Sequence, residues 1–345
     1  MKKTTKKAAA VPPAATMLQM ITGYWISKMI FMAAKLGIAD SLKKGQKTID
    51  QLASATGTLP DPLHRLMRAL ASVGVFAETK PRTYKTTALG KTLETGGPGS
   101  MRAFAMMMVE SYNVRAWDHL PNALTTGTHP FEDVHGMKVF EYLDQHPEDG
   151  RLFSESMSSI SGIENPAIAE AYDFSKTNTV VDVGGALGSL IATVAKRWKN
   201  VQGILYDRPS VIERAEAGPL LQEKSLKGRI TPVAGDFFRS VPEGADAYLL
   251  KYILHDWSDD ECTAILANVR RAMSPKARVL VLDNVIPAGN APSWGKLLDI
   301  NMMALTTGRE RTKEDFARLF AASGLKLKRI VKTACPLSII EGVPA

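Results

Sequence analysis

The chain has 345 residues, 45% apolar and 23% charged; that leaves room for two domains with a large core and excludes a mainly disordered, collagen-like or disulfide-stapled chain. Cys262 and Cys335 are too few for a bridge framework or a four-ligand zinc site, and they read as reduced thiols of a cytoplasmic protein. Half of the net charge of +8 comes from Lys2, Lys3, Lys6 and Lys7, so the remainder is only weakly basic and speaks against a nucleic-acid partner.

Residues 1–16 read as a disordered, solvated basic tail, because Pro12-Pro13 interrupts the apolar stretch that a signal peptide needs. The longest apolar segment, 17–39, is broken by Lys28 and Lys35, so no membrane span is expected. Within it, 17–36 has helical spacing with Met20, Trp25, Met29, Ile30 and Met32 as buried candidates. Residues 48–56 and 61–75 read as two helices around a turn with Gly57 and Pro60, and 76–87 as a hairpin, together a helix-turn-helix with a wing. The second helix offers only His64, Arg65 and Arg68 to a DNA groove, which favours a packing or dimerisation module. Further helices are expected at 101–126 and 136–161.

Near residue 160 the pattern changes, and strands alternate with helices. Strands are expected at 179–183, 203–206, 229–234, 247–251, 278–283, 326–332 and 337–340, and helices at 187–198, 259–273 and 313–323. That alternation implies a parallel sheet, with one antiparallel edge strand from the final pair. The implied division is a helical domain at 17–160 and an α/β domain at 161–345.

The first strand of the sheet runs into Asp182-Val183-Gly184-Gly185-Ala186-Leu187-Gly188. A glycine turn at a strand's carboxyl end is where open α/β sheets bind ligands, but no Lys-Ser/Thr follows, so it is no P-loop. Asp182 opposes a pyrophosphate and suits a ligand carrying an ammonium group. Asp207, ending the second strand, is placed to accept from ribose hydroxyls, and Asp236-Phe237 after the third suits adenine, the acid for its amine and the ring for its face. His255 follows the fourth strand, Asp283 ends the fifth, and Glu310 precedes the helix at 313. A histidine flanked by carboxylates is oriented and made more basic, as abstraction of a hydroxyl proton requires. No cluster with metal-ligand spacing stands out.

With Val181 to Gly188, Leu250-Lys251-Tyr252-Ile253-Leu254-His255-Asp256-Trp257-Ser258, Gly308-Arg309-Glu310-Arg311-Thr312 and Ser338-Ile339-Ile340-Glu341 in this order, the chain resembles the plant caffeate-type and bacterial small-molecule O-methyltransferases over about 17–345. The resemblance implies a Rossmann-like class I methyltransferase sheet of seven strands, the last antiparallel, behind a mainly helical winged-helix dimerisation domain. It implies S-adenosylmethionine as cofactor, a small hydroxylated aromatic acceptor, metal-independent transfer, and a homodimer whose amino-terminal helices close the partner's pocket. It makes His255 the general base held by Asp283 and Glu310, with aspartate at 283 where glutamate is common. It places Gly184, Asp207, Asp236, Phe237, Lys251 and Trp257 at the cofactor, and Asp256, Asn301, Met157 and Phe153 at the acceptor. Ala186 stands where the family has a third glycine; a positive φ there would strain the loop. Two other readings remain: a non-methylating hydroxylase or decarboxylase on the same scaffold, and a winged-helix regulator.

Overall fold

The computed structural model describes residues 11–96 and 99–345, in two compact units that divide between Val109 and Glu110. The lysines of the expected basic tail lie outside the described residues. A helix, Pro13–Ile21, starts inside the segment assigned to that tail, since proline at the first helical position has no amide to leave unsatisfied.

In the first unit, Thr22 separates Pro13–Ile21 from a second helix, Gly23–Lys35, where one helix was expected. Only Ala33 and Ala34 of the second are buried. Met20, Trp25 and Met32 are exposed, contrary to the expectation, while Met29 and Ile30 pack partly on the core. The apolar face is there, but this chain alone does not cover it. Helices Ile49–Thr56 and Pro60–Ser72 follow, the first opened by a capping box between Thr48 and Gln51 and closed by Gly57 in the left-handed conformation. Strands β1 (Lys47–Thr48), β2 (Phe76–Lys80) and β3 (Thr83–Thr86) form a sheet in the order β1-β3-β2; β2 and β3 are the expected hairpin, and β1 adds a strand that was not expected. Ile38, Ile49, Leu52, Met67, Leu70, Phe76 and Tyr84 make the core. His64, one of three basic groups on the second helix, is tied to the wing through Tyr84 Oη at 3.0 Å.

The second unit opens with short helices, Ser111–Asp118, Leu120–Thr126, Pro130–His135 and Val139–Gln145, and the long helix Pro147–Ala171. The boundary expected at 160 therefore falls inside a continuous helix. Ile168 and Ala169 at its end pack with Val180 and Leu190, so a change of local pattern there is not a change of core.

Strands β4 (Thr179–Val183), β5 (Gln202–Asp207), β6 (Ile230–Ala234), β7 (Ala247–Lys251), β8 (Arg278–Asp283), β9 (Leu325–Lys332) and β10 (Ser338–Pro344) form one sheet in the order β6-β5-β4-β7-β8-β10-β9. Strands β4 to β8 are parallel, and β10 is antiparallel to both neighbours, β8 and β9. The antiparallel strand is thus interior and not at the edge. Ile339, Ile340 and Glu341 of β10 are buried, whereas β9 exposes lysines, the composition that blunts an edge. Buried clusters cover both faces of the sheet. The helices Pro209–Ala217 and Trp294–Leu305 were not anticipated. Strand order reverses beside β4, which opens a crevice at the carboxyl ends of β4 and its neighbours. Among the described residues no helix is long and apolar enough to cross a membrane.

Candidate active site

The turn after β4 starts the crevice. Gly184 has φ +68°, a conformation that residues with a side chain rarely adopt, and a Cβ there would press on the end of the Ile253 side chain. Ala186 has φ +50°, the strained conformation anticipated for an L-residue in this loop. Its amide donates to Asp207 Oδ2 at 2.8 Å, and the Arg208 amide donates to Oδ1 at 2.7 Å. Each Asp207 oxygen keeps a further lone pair for a hydroxyl donor. Burial holds the Asp207 carboxyl above its ordinary pKa. Replacing Ala186 by glycine is expected to stabilise the protein by about 0.5–1 kcal/mol, the left-handed strain less the added chain entropy, read as a higher urea midpoint at unchanged slope.

Asp182 lies behind this turn. It is 1% exposed and accepts from the Ile191 amide at 3.2 Å, so it braces the following helix and does not face the crevice as a partner for an ammonium group. Burial pushes its carboxyl up to about 7.

After β6, Asp236 Oδ1 accepts from the Phe238 amide at 2.9 Å. Phe237 belongs to an aromatic group with Phe238 and Trp257, the ring centroids of Phe237 and Trp257 standing 6.2 Å apart edge to face. Phe140 joins this group at 5.9 Å from Trp257, and Phe153 packs on Phe140 at 6.1 Å. Met157 is half-buried one turn further along the helix of Phe153.

His255 sits in a short 3₁₀ turn, Leu254–Asp256, at the carboxyl end of β7. Its Nδ1 lies 2.8 Å from Glu310 Oε1; against a carboxylate that nitrogen donates, which leaves Nε2 as the free position of the neutral ring. Nε2 is 3.6 Å from Asp256 Oδ1. Glu310 is itself held, its amide donating to Asp299 Oδ1 at 2.8 Å. Burial pushes the imidazole pKa down, but the Asp256 carboxylate and Glu310 outweigh it and raise the group to about 10. Asp256 is pushed up to about 6 by burial.

Several expected site residues have other partners. Asp283 is buried beside this cluster, yet among the described residues neither carboxyl oxygen has a hydrogen-bond partner, so no bond from it holds the ring as Glu310 does. Burial pushes Asp283 up to about 8. Lys251 Nζ bonds Ser161 Oγ at 2.9 Å and Asn165 Oδ1 at 3.0 Å, and pairs with Glu164 Oε2 at 2.9 Å, so its ammonium is spent on the Pro147–Ala171 helix. Asn301 Oδ1 accepts from the Trp117 indole at 3.1 Å.

Three residues that sequence reasoning missed shape the site. Arg311, 1% exposed, donates to Leu254 O at 2.6 Å and Trp257 O at 2.8 Å, clasping the backbone on both sides of His255. Gly308 packs so closely on the His255 carbonyl that a Cβ would overlap it. Tyr252, with φ +54°, stacks on the imidazole. Nothing in the local sequence sets Arg311 apart from Arg309, which is half-exposed on Asp259.

The O-methyltransferase domain model matches residues 117–326, and the O-methyltransferase dimerisation domain model matches 18–96. The chain is 41% identical to a phenazine O-methyltransferase of Lysobacter antibioticus, over 98% of each chain. It is 36% identical to a mitomycin biosynthesis 6-O-methyltransferase of Streptomyces lavendulae, over 97% of this chain and 95% of the other. A solved methyltransferase of calicheamicin biosynthesis, CalO1 in its S-adenosylhomocysteine-bound form, superposes with a TM-score of 0.85 at 36% identity, over 97% of this chain and 100% of the other. The crevice has the features such a nucleoside needs: a glycine approach at 184, a carboxylate with free lone pairs at 207 and an aromatic wall at 237 and 257. The chain belongs to the O-methyltransferase family and is an S-adenosylmethionine-dependent O-methyltransferase.

Proposed function

We propose that the protein methylates a hydroxyl of a small aromatic acceptor of the secondary-metabolite kind, with His255 as general base. The observation that carries this reading is the 2.8 Å bond from His255 Nδ1 to Glu310, which points the proton-accepting Nε2 away from its buried support. S-adenosylmethionine, when bound, supplies a methyl group already activated by the sulfonium. Gly184, Asp207, Asp236, Phe237 and Trp257 would hold it: Asp207 by the ribose hydroxyls, Asp236 by the adenine amine, and the two rings by the base. Lys251 supports this reading through the helix that it pins, since its own donors are engaged.

An ordinary phenol has a pKa of about 10 and is protonated at neutral pH, so a base within reach of its oxygen lowers the barrier. His255 Nε2 takes the hydroxyl proton and Glu310 stabilises the imidazolium. We assign the acceptor oxygen to Asp256, 3.6 Å from Nε2, and Asn301, with Phe153 and Met157 as wall. The relatives named for phenazine and mitomycin chemistry support an aromatic acceptor. A screen of hydroxylated phenazines, quinones and phenols with labelled cofactor, read by mass, tests this. Product heavier by one methyl group supports the reading, and hydroxylated or decarboxylated product overturns it.

Because the surrounding carboxylates stabilise the imidazolium, turnover is expected to rise through the alkaline range as His255 loses its proton. Asp283 is ionised in that range. Asp283→Asn removes a negative neighbour, lowers the His255 pKa and moves the alkaline limb to lower pH. The pH profile of kcat/KM for both proteins checks the direction.

We also infer that the enzyme works as a homodimer in the cytoplasm. The dimerisation-domain match and the exposed Met20, Tyr24, Trp25 and Met32 support a partner on the amino-terminal helices.

A further inference from the structure

Tyr252 lies between β7 and the His255 turn, with φ +54°. A bulky residue in the left-handed region costs about 1–2 kcal/mol that glycine would avoid. Its side chain therefore has a task, and the contacts show which. The phenol ring stacks on the His255 imidazole, with centroids 4.9 Å apart and planes inclined by 29°. The hydroxyl donates to Glu164 Oε1 at 2.7 Å. Glu164 is 4% exposed in the Pro147–Ala171 helix, and its other oxygen pairs with Lys251, whose Nζ stands 5.4 Å over the Tyr252 ring. From Lys251 the network continues through Asn165, which donates to Ser189 Oγ at 3.1 Å, the first residue of the helix after the glycine turn.

We propose that Tyr252, anchored by Glu164, is a positioning residue that fixes the plane of the His255 ring and stabilises its protonated form. This rests on the reading of His255 as the base. Glu310 holds one edge of the imidazole through Nδ1, and the tilt of its plane is left to what packs on its face. A flat partner there fixes that tilt. An imidazolium is also attracted to an electron-rich ring face, and a phenol donating to a carboxylate is more electron-rich than a free one. Methyl transfer generates the imidazolium, so this stabilisation grows as the proton moves. The anchor lies on the helix of Phe153 and Met157, so the base and the acceptor wall share one support.

The test compares Tyr252→Gly, Tyr252→Phe, Glu164→Gln and His255→Gln in the full-length protein. Tyr252→Gly relieves the backbone strain but removes a ring packed on the core and leaves Glu164 Oε1 without its donor, so its thermal midpoint is expected to fall. Its S-adenosylhomocysteine affinity by calorimetry is expected to stay within about twofold, while kcat on the alkaline plateau, where His255 is neutral in both proteins, falls about 10–100-fold with the acceptor that turns over fastest in the screen. In ¹⁵N-histidine NMR, the His255 titration in Tyr252→Gly is expected to fall by about one pH unit, the equivalent of a lost cation–π contact. Tyr252→Phe keeps the ring but not its bond to the carboxylate, so most of the titration shift holds and kcat falls about threefold; Glu164→Gln, which can still accept at its carbonyl, behaves likewise.

The proposal is overturned if Tyr252→Gly keeps both kcat and the titration while His255→Gln is inactive. It is also overturned if S-adenosylhomocysteine affinity falls together with kcat while the titration holds, since that is a purely structural role. If Tyr252→Gly does not fold, a Tyr252→Phe variant that loses the titration shift overturns it in the same way. Full activity in His255→Gln sinks the base assignment itself, and the positioning role with it.

Discussion

Replacing His255 by glutamine is expected to lower kcat by about 10²–10⁴-fold, the usual worth of a positioned general base, while S-adenosylhomocysteine binds with nearly native affinity. Glutamine has similar reach, and its amide nitrogen can still donate to Glu310, so the turn keeps its support. It has no basic lone pair to take a proton. The loss should therefore sit in kcat and not in acceptor KM, the pattern of an interaction made only in the transition state. Its size should shrink with acceptors of lower hydroxyl pKa, because these reach the site already ionised. Steady-state kinetics across a series of substituted phenols, together with calorimetry, decides the matter. A variant within tenfold of native for the least acidic acceptor would move the proton to another group, Asp256 first, which stands 3.6 Å from the imidazole Nε2.

The second large effect is expected far from any proton. Arg311→Met should destabilise the second unit by about 2–5 kcal/mol. The guanidinium is almost wholly buried and satisfies Leu254 O, Trp257 O and Asp259 Oδ1 together. Methionine fills much of the volume but leaves Leu254 O and Trp257 O with only the weaker Trp257 amide and Cys262 thiol donors. Lysine keeps the charge but lacks the fork, so Arg311→Lys should recover only part of the loss. Urea unfolding measures the stability, and turnover should fall with it because the released carbonyls flank His255. An Arg309→Met variant, whose side chain is half-exposed, should stay within about 1 kcal/mol of native.

Much of the second unit was legible because its signals are local. Strands at Thr179–Val183, Ala247–Lys251 and Arg278–Asp283 are β-branched or aliphatic runs ended by Gly, Tyr or Asn, and the structure has them at the expected residues. His255 and Glu310 were legible because a parallel sheet brings the ends of its strands to one edge whatever the loop lengths between them. Lys251 and Asp283 lie at the same edge, but their partners were not legible. Position at the edge says which residues come near the site, but not which partner each side chain finds. Ser161, Glu164 and Asn165 take the lysine from a helix far back in the chain, and no spacing records that. The short side chain of Asp283 stops without a hydrogen bond where sequence reasoning had it gripping the histidine.

The amino acid order by itself therefore determined the alternating elements of the sheet, the glycine turn at 184 and the set of titratable groups around His255, all consequences of short-range pattern and strand direction. Tertiary structure alone decided that β10 lies inside β9, that one of two neighbouring arginines is buried under the histidine turn, and that a strained tyrosine lies against the imidazole. Those outcomes depend on how buried polar groups from distant segments satisfy one another, and a hydrogen bond between such segments leaves no periodicity for the chain to display.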